Sequence, residues 1–277
     1  MTAQIRVGAV SYLNARPLSY RLTEHSPNVQ LIVDLPSRLA ERLEARELDV
    51  ALIPSVEYYR GRAAGSQYEI VPGFAIAARG PVRSVKLFSR VPFGQIQRLA
   101  LDAGSRTSQA LAQVWLAERH QAQPERVELL PMGVPLEEST ADAVLLIGDR
   151  AMGVSGEGFH AVIDLAEAWN TWTGLPFVFA VWVARAGAEL GDLPEALARS
   201  RSEGLAHAAE IAAESGPRLG LEILTCFEYL TRALSYDLGE PELAGLRLFA
   251  RKAAALGLAP EGVDLVFHRG RDLAARR

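Results

Sequence analysis

An α/β fold of two lobes, with mixed sheets and a helical C-terminal region, is what the sequence predicts, and three observations carry that reading. The first is length: 277 residues with 49% hydrophobic content exceed one compact domain of typical size and offer apolar material for more than one core. The second is alternation, since short β-rich runs take turns with amphipathic stretches, as in a mostly parallel sheet with right-handed crossovers. The third is a change of character at Asp192, after which the chain reads as helix almost to residue 256.

Taken in order, residues 5–10 (Ile-Arg-Val-Gly-Ala-Val) form a first strand and Pro17 opens a helical stretch to Leu22. Residues 29–33 give a second strand and 39–45 an amphipathic helix. Residues 49–53 are apolar enough for a buried third strand, which Pro54 stops. Two long strands are expected at 68–78 and 82–88, with Arg79-Gly80-Pro81 as the turn between them. A second series begins with a strand at 99–102 and a helix over 107–119, and continues with strands near 127–130, 143–147 and 161–163. Residues 177–183 (Phe-Val-Phe-Ala-Val-Trp-Val) are β-branched and aromatic, which favours a long strand. Asp192 is placed to cap a helix with Pro194 in its first turn. Gly216-Pro217 and Gly239-Glu240-Pro241 divide the remainder into three helices, and Asp272 to Arg277 reads as a frayed end. With no repeat and no low-complexity linker, the lobe boundaries fall at strand crossings: 1–88 plus 181–277 as one lobe and 89–180 as the other.

Composition narrows the function. A net charge of -4 and the lack of a Lys/Arg block argue against nucleic acid and membrane as partners. Cys226, the only cysteine, rules out a disulfide within the chain and reads as a small core residue. His25, His120, His160, His207 and His268 are scattered without metal-ligand spacing. The sequence has no Gly-Lys-Ser/Thr phosphate loop and no Gly-x-Ser-x-Gly elbow, and Gly153 to Gly158 reads as a surface loop. No cofactor or metal is therefore expected, and the partner expected is a small-molecule substrate. Met1 leads straight into the first strand without the apolar stretch of a secretory signal, so the expected location is cytoplasmic.

Candidate chemistry gathers at strand ends, where ligands bind in open parallel α/β sheets. Ser11-Tyr12-Leu13-Asn14 follows the first strand, Ser55 the third, and Gly148-Asp149 the strand at 143–147. Gly104-Ser105-Arg106-Thr107-Ser108 lies between a strand and a helix, and offers hydroxyls, backbone donors and a guanidinium suited to a carboxylate. Each segment alone fits helix capping; together they put polar strand ends from both lobes on one cleft. Trp169, Trp172, Phe177 and Phe179 fit either a ring-binding wall or ordinary core.

Val10-Ser-Tyr-Leu-Asn14 with Pro17-Leu18, Asp102-Ala-Gly-Ser-Arg-Thr-Ser108, Leu146-Ile-Gly-Asp149 and Thr173-Gly-Leu-Pro-Phe-Val-Phe-Ala180 resemble the chorismate dehydratase family of the futalosine pathway to menaquinone. The likeness spans nearly the whole chain, and departs from the family pattern at Ala166, where glycine is expected. It implies a type II periplasmic-binding-protein-like fold and loss of water from chorismate to give 3-[(1-carboxyvinyl)oxy]benzoate. It also implies an Asn and a Ser acting on the substrate. The Asn matches Asn14; the Ser is assigned to Ser84 in Gly80-Pro-Val-Arg-Ser-Val85, with Ser89 nearby as the alternative. Ser11, Tyr12, Ser55, Ser105, Arg106, Thr107, Ser108, Gly148 and Asp149 are the expected substrate-binding set, with Arg106 gripping a carboxylate. The rival functions are 1,4-dihydroxy-6-naphthoate synthase of the same pathway and a non-catalytic binding protein for a small anion.

Overall fold

Runs of buried aliphatic side chains form the strands of the computed structural model, which describes residues 4–269. β1 (Ile5–Val10) pairs in parallel with β2 (Val29–Asp34) and β3 (Val50–Pro54). All of β3 is buried, as befits a strand covered on both faces. β4 (Tyr68–Ala78) and the late strand β10 (Phe177–Arg185) complete the sheet in the order β2-β1-β3-β10-β4, with β10 antiparallel to both neighbours.

The second sheet repeats this scheme. β6 (Arg98–Asp102) lies in parallel between β7 (Arg126–Leu130) and β8 (Ala143–Ile147), and β5 (Val85–Ser89) runs antiparallel between β8 and β9 (Ala161–Asp164). Its order is β7-β6-β8-β5-β9. Each sheet thus takes its antiparallel strand from the segment by which the chain arrives from the other.

Helices cover the sheets. α1 (Leu22–His25), α2 (Pro36–Glu44) and α3 (Ser55–Ala63) belong to the first series. α4 (Arg106–His120), α5 (Asp149–Met152) and α6 (Leu165–Thr173) follow β6, β8 and β9. α7 (Leu193–Ala206), α8 (Ala208–Leu219), α9 (Ile223–Glu228), a π-helical turn at Tyr229–Ala233 and α10 (Glu240–Ala255) make the C-terminal region. The chain beyond the π turn returns to β4, where Ala75 and Ala77 donate to the carbonyls of Tyr236 and Ser235, so the edge of the first sheet is covered. Among the described residues no helix is long and apolar enough to cross a membrane.

The elements expected from the sequence are present, with differences. The first is that the described residues after Asp192 hold four α-helices and a π turn where three helices were expected, since α7 gives way to α8 at His207. Tyr68–Ala78 and Val85–Ser89 are not a hairpin: residues 79–84 cross between the sheets, turned by Arg83, whose φ of 66° is left-handed and whose N–H is taken by Asp164. The expected boundaries at Phe88 and Ala180 fall inside β5 and β10; strand runs are visible in a sequence, but the partner each strand chooses is not. Pro217 lies within α8, and the stop comes at Gly220, whose φ of 66° allows its N–H to close on the Gly216 carbonyl. Asp192 precedes α7 without capping it, because its carboxylate accepts the Ser26 hydroxyl at 2.7 Å. The Arg-rich tail, Asp272 to Arg277, lies outside the described residues.

Candidate active site

A cavity of about 40 Å³ lies where the carboxyl ends of the two sheets meet. Val10, Tyr12, Asn14 and Pro54 line it from the first sheet and Ser105, Ser108, Ile147 and Gly148 from the second. Val82, Ser84 and Val85 contribute from one crossing, and Phe179 and Ala180 from β10. No charged side chain is among the described residues that line it, so an anion there meets only neutral donors.

Local rules build this wall. Ser105 is the N-cap of α4: its Oγ accepts from Ser108 N at 3.3 Å and lies 3.0 Å from Ser108 Oγ, so two hydroxyls crowd the positive end of a long helix. Buried Asp102 ties the neighbouring loops together, accepting Gly104 N at 2.9 Å, Ile147 N at 3.1 Å and the Arg150 guanidinium. The Tyr12 ring crosses from the first sheet and lies flush on Gly148, where an added Cβ would stand 3.2 Å from the ring. Gly148 also has φ 71°, so glycine is required twice over.

Ser84 and Asn14 share a neighbour that the sequence did not reveal. Tyr229, fully buried at the start of the π turn, donates its hydroxyl to Ser84 Oγ at 2.8 Å, and Asn14 lies beside the same phenol, where it partly offsets the rise in pKa that burial causes. Asn14 Oδ1 is buried without a partner. Ser89, the alternative to Ser84, faces elsewhere and donates to the Val91 carbonyl at 2.6 Å.

The remaining expected site residues divide. Tyr12, Ser105, Ser108 and Gly148 line the cavity. Ser55 and Thr107 are buried beside it: Ser55 Oγ donates to the Val178 carbonyl at 2.8 Å, while Thr107 Oγ1 accepts Val56 N at 3.1 Å, which locks α3 to α4. Ser11 is exposed and outside the cavity. Arg106 is a correction: its guanidinium is held by Glu57 at 2.8 Å and by Glu41, two carboxylates on α3 and α2, and does not reach the cavity.

Asp149 also stands off the cavity wall. Both its oxygens take the Leu13 N–H at 3.2 Å, across the gap between the sheets, and burial pushes its carboxyl up to about 6. Trp169 and Phe177 belong to the core, with ring centroids 5.4 Å apart, whereas Phe179 does wall the cavity. Among the described residues no group of three or more His, Cys, Asp or Glu could hold a metal. The arrangement is that of a small, mostly apolar chamber with a few converging neutral hydrogen-bonding groups, able to orient a ring and support loss of a hydroxyl.

Comparison with known proteins places this geometry. A family model described as menaquinone biosynthesis matches residues 5–255. The chain is 33% identical over 276 residues to the chorismate dehydratase of Thermus thermophilus, covering 92% of this chain and 96% of that one. It is 28% identical over 179 residues to the chorismate dehydratase of Campylobacter jejuni, covering 62% and 64%. Among solved structures, the alkanesulfonate-binding protein of Xanthomonas axonopodis superposes with a TM-score of 0.69 at 15% identity, over 94% of this chain and 95% of that one. That likeness establishes the periplasmic-binding-protein-like fold.

Proposed function

The chain belongs to the menaquinone-biosynthesis family, and from that premise we propose that it is a chorismate dehydratase, a hydro-lyase that cleaves a carbon–oxygen bond of chorismate to give 3-[(1-carboxyvinyl)oxy]benzoate and water. We place it in the cytoplasm, where a lone buried thiol such as Cys226 stays reduced. The observation that carries the reading is that Asn14, which matches the family's acting Asn, and Ser84, assigned as its Ser, line one cavity between the sheets.

Elimination requires removal of the ring proton beside the enolpyruvyl ether and departure of the adjacent hydroxyl as water. Asp149, the one carboxylate among the expected site residues, is engaged by Leu13 and is absent from the cavity wall. The enolpyruvyl carboxylate of the substrate is tethered to the carbon that loses the proton, and a well-oriented tethered base reaches effective molarities of about 10⁵ M or more. It takes the proton and passes it to the departing hydroxyl, which leaves as water. Ser84 donates to the departing hydroxyl and the free Asn14 Oδ1 accepts from it, while Ser105 and Ser108 at the α4 N-terminus receive the ring carboxylate.

The purified protein incubated with chorismate should release an aromatic product lighter by one water. Asn14→Ala should lower kcat by about a hundredfold or more, with a smaller change in KM. No aromatic product from the wild type, or an undiminished rate in the variant, would overturn the reading.

A further inference from the structure

Tyr229 lies outside the strand-end motifs and does not touch the cavity, yet its phenol is bonded to Ser84 and lies beside Asn14, the two residues assigned to the chemistry. A serine hydroxyl has one proton to give and lone pairs to accept with. Because the Tyr229 hydroxyl donates to Ser84 Oγ, the Ser84 proton must point elsewhere, and among the described residues no acceptor takes it. The open direction is the cavity that Ser84 lines. Asn14, beside the same phenol, has its Oδ1 buried without a partner. The buried hydroxyl thereby sets the polarity of Ser84 as a donor toward the cavity.

The backbone is shaped for this contact. Tyr229 opens a π-helical turn directly after α9, and such turns re-aim side chains at functional sites. Leu234, just beyond the turn, reaches the cavity wall. Burial also raises the phenol's pKa, so it stays protonated and remains a donor at neutral pH.

We propose that Tyr229 is a positioning residue for the dehydration, which acts through Ser84 by directing the serine proton at the departing hydroxyl. This rests on the reading of the chain as a chorismate dehydratase. The test compares wild type, Tyr229→Phe, Ser84→Ala and the double variant in chorismate turnover. Tyr229→Phe is expected to lower kcat about tenfold or more with little change in KM or melting temperature. The double variant is expected to be no slower than Ser84→Ala alone, because a residue acting through Ser84 has nothing left to act on.

A wild-type kcat in Tyr229→Phe, or losses that multiply in the double variant, overturns the role of Tyr229 while the assignment of function stands. Absence of turnover in the wild type overturns the function and this role with it. Should Tyr229→Phe fail to fold, 3-fluorotyrosine at position 229 keeps the ring and hydroxyl and changes only donor strength. A shift in kcat at constant melting temperature then supports the proposal, and an unmoved kcat overturns it.

Discussion

At the scale of single residues, Asp149 links stability to pH. Its carboxyl is raised from 3.8 to about 6 by burial, opposed only in part by the Leu13 N–H. Between those values the folded protein holds a proton that the unfolded chain has released. Stability from this group is therefore greatest at low pH, falls as pH rises through about 6, and is flat above. Asp149→Asn keeps an acceptor for Leu13 and removes the ionisation. The variant should melt at a nearly constant offset from wild type below the window and gain on it through the window, so that it is the more stable at neutral pH. Parallel melting curves against pH would refute this. The same variant should keep much of its turnover, whereas complete loss with substrate still bound would make Asp149 the base. Asn14 was expected from the Ser-Tyr-Leu-Asn segment and Ser84 was assigned through the family resemblance; both line the cavity. Tyr229 was not legible, since an aromatic between Glu228 and Leu230 looks like any core side chain until the π turn aims it. Arg106 misled for the converse reason: a guanidinium at a helix start suits an anionic ligand, but Glu41 and Glu57 reach it first.

At the scale of elements, the joints between strand and helix decide the shape of the cavity. Gly148 joins β8 to α5 under the Tyr12 ring at φ 71° and ψ -160°, a region open essentially only to glycine. Gly220 ends α8 with nearly the same φ, but in the left-handed helical region and with open space where a Cβ would go. Gly220→Ala should therefore cost about 1–2 kcal/mol in denaturant unfolding, the penalty of a left-handed alanine, and Gly148→Ala more, up to about 3 kcal/mol. Only Gly148→Ala should also raise KM, because its methyl displaces Tyr12 from the wall. Equal KM values in the two variants would show that the contact with Tyr12 is immaterial. Strands were the most readable elements, since their apolar runs are dense and bounded by turn residues. α3 was missed because Ser55-Val56-Glu57-Tyr58-Tyr59 follows a proline and has no clear apolar stripe; Tyr58 and Tyr59 are both buried, on neighbouring positions. α8 runs on through Pro217 at the cost of one i→i−4 bond, and continues only to Leu219 before Gly220 ends it.

At the scale of the whole molecule, one plan is used twice. Three parallel strands, an antiparallel strand arriving from the other sheet and an edge strand recur in the same order, although the sequence has no detectable repeat. Repetition of topology leaves no trace in residue identity, only in the succession of strands and helices, so the two-lobed class was legible while strand partnership was not. We propose that the sheets with their helices form two lobes that hinge at residues 79–84 and 174–176, since only those segments carry the chain between β4 and β5 and between α6 and β10. Ion pairs of Arg106 with Glu41 and Glu57 join the facing ends, and so do two backbone amides. Leu13 N–H donates to Asp149 and Val56 N–H to Thr107, each joining a segment that follows a strand of the first sheet to one that follows a strand of the second. Opening breaks these two bonds and leaves the ladder between β1 and β2 intact. Amide hydrogen exchange separates the two classes, because a bond broken by lobe opening exchanges through that motion and a ladder bond only through deeper unfolding. In the empty protein Leu13 and Val56 should exchange much faster than amides of β1. Saturating reaction product, bound between the lobes, should slow them by about tenfold or more while β1 changes little. If all these amides respond alike, the sheets behave as one rigid body and the chamber admits substrate by some motion other than a hinge.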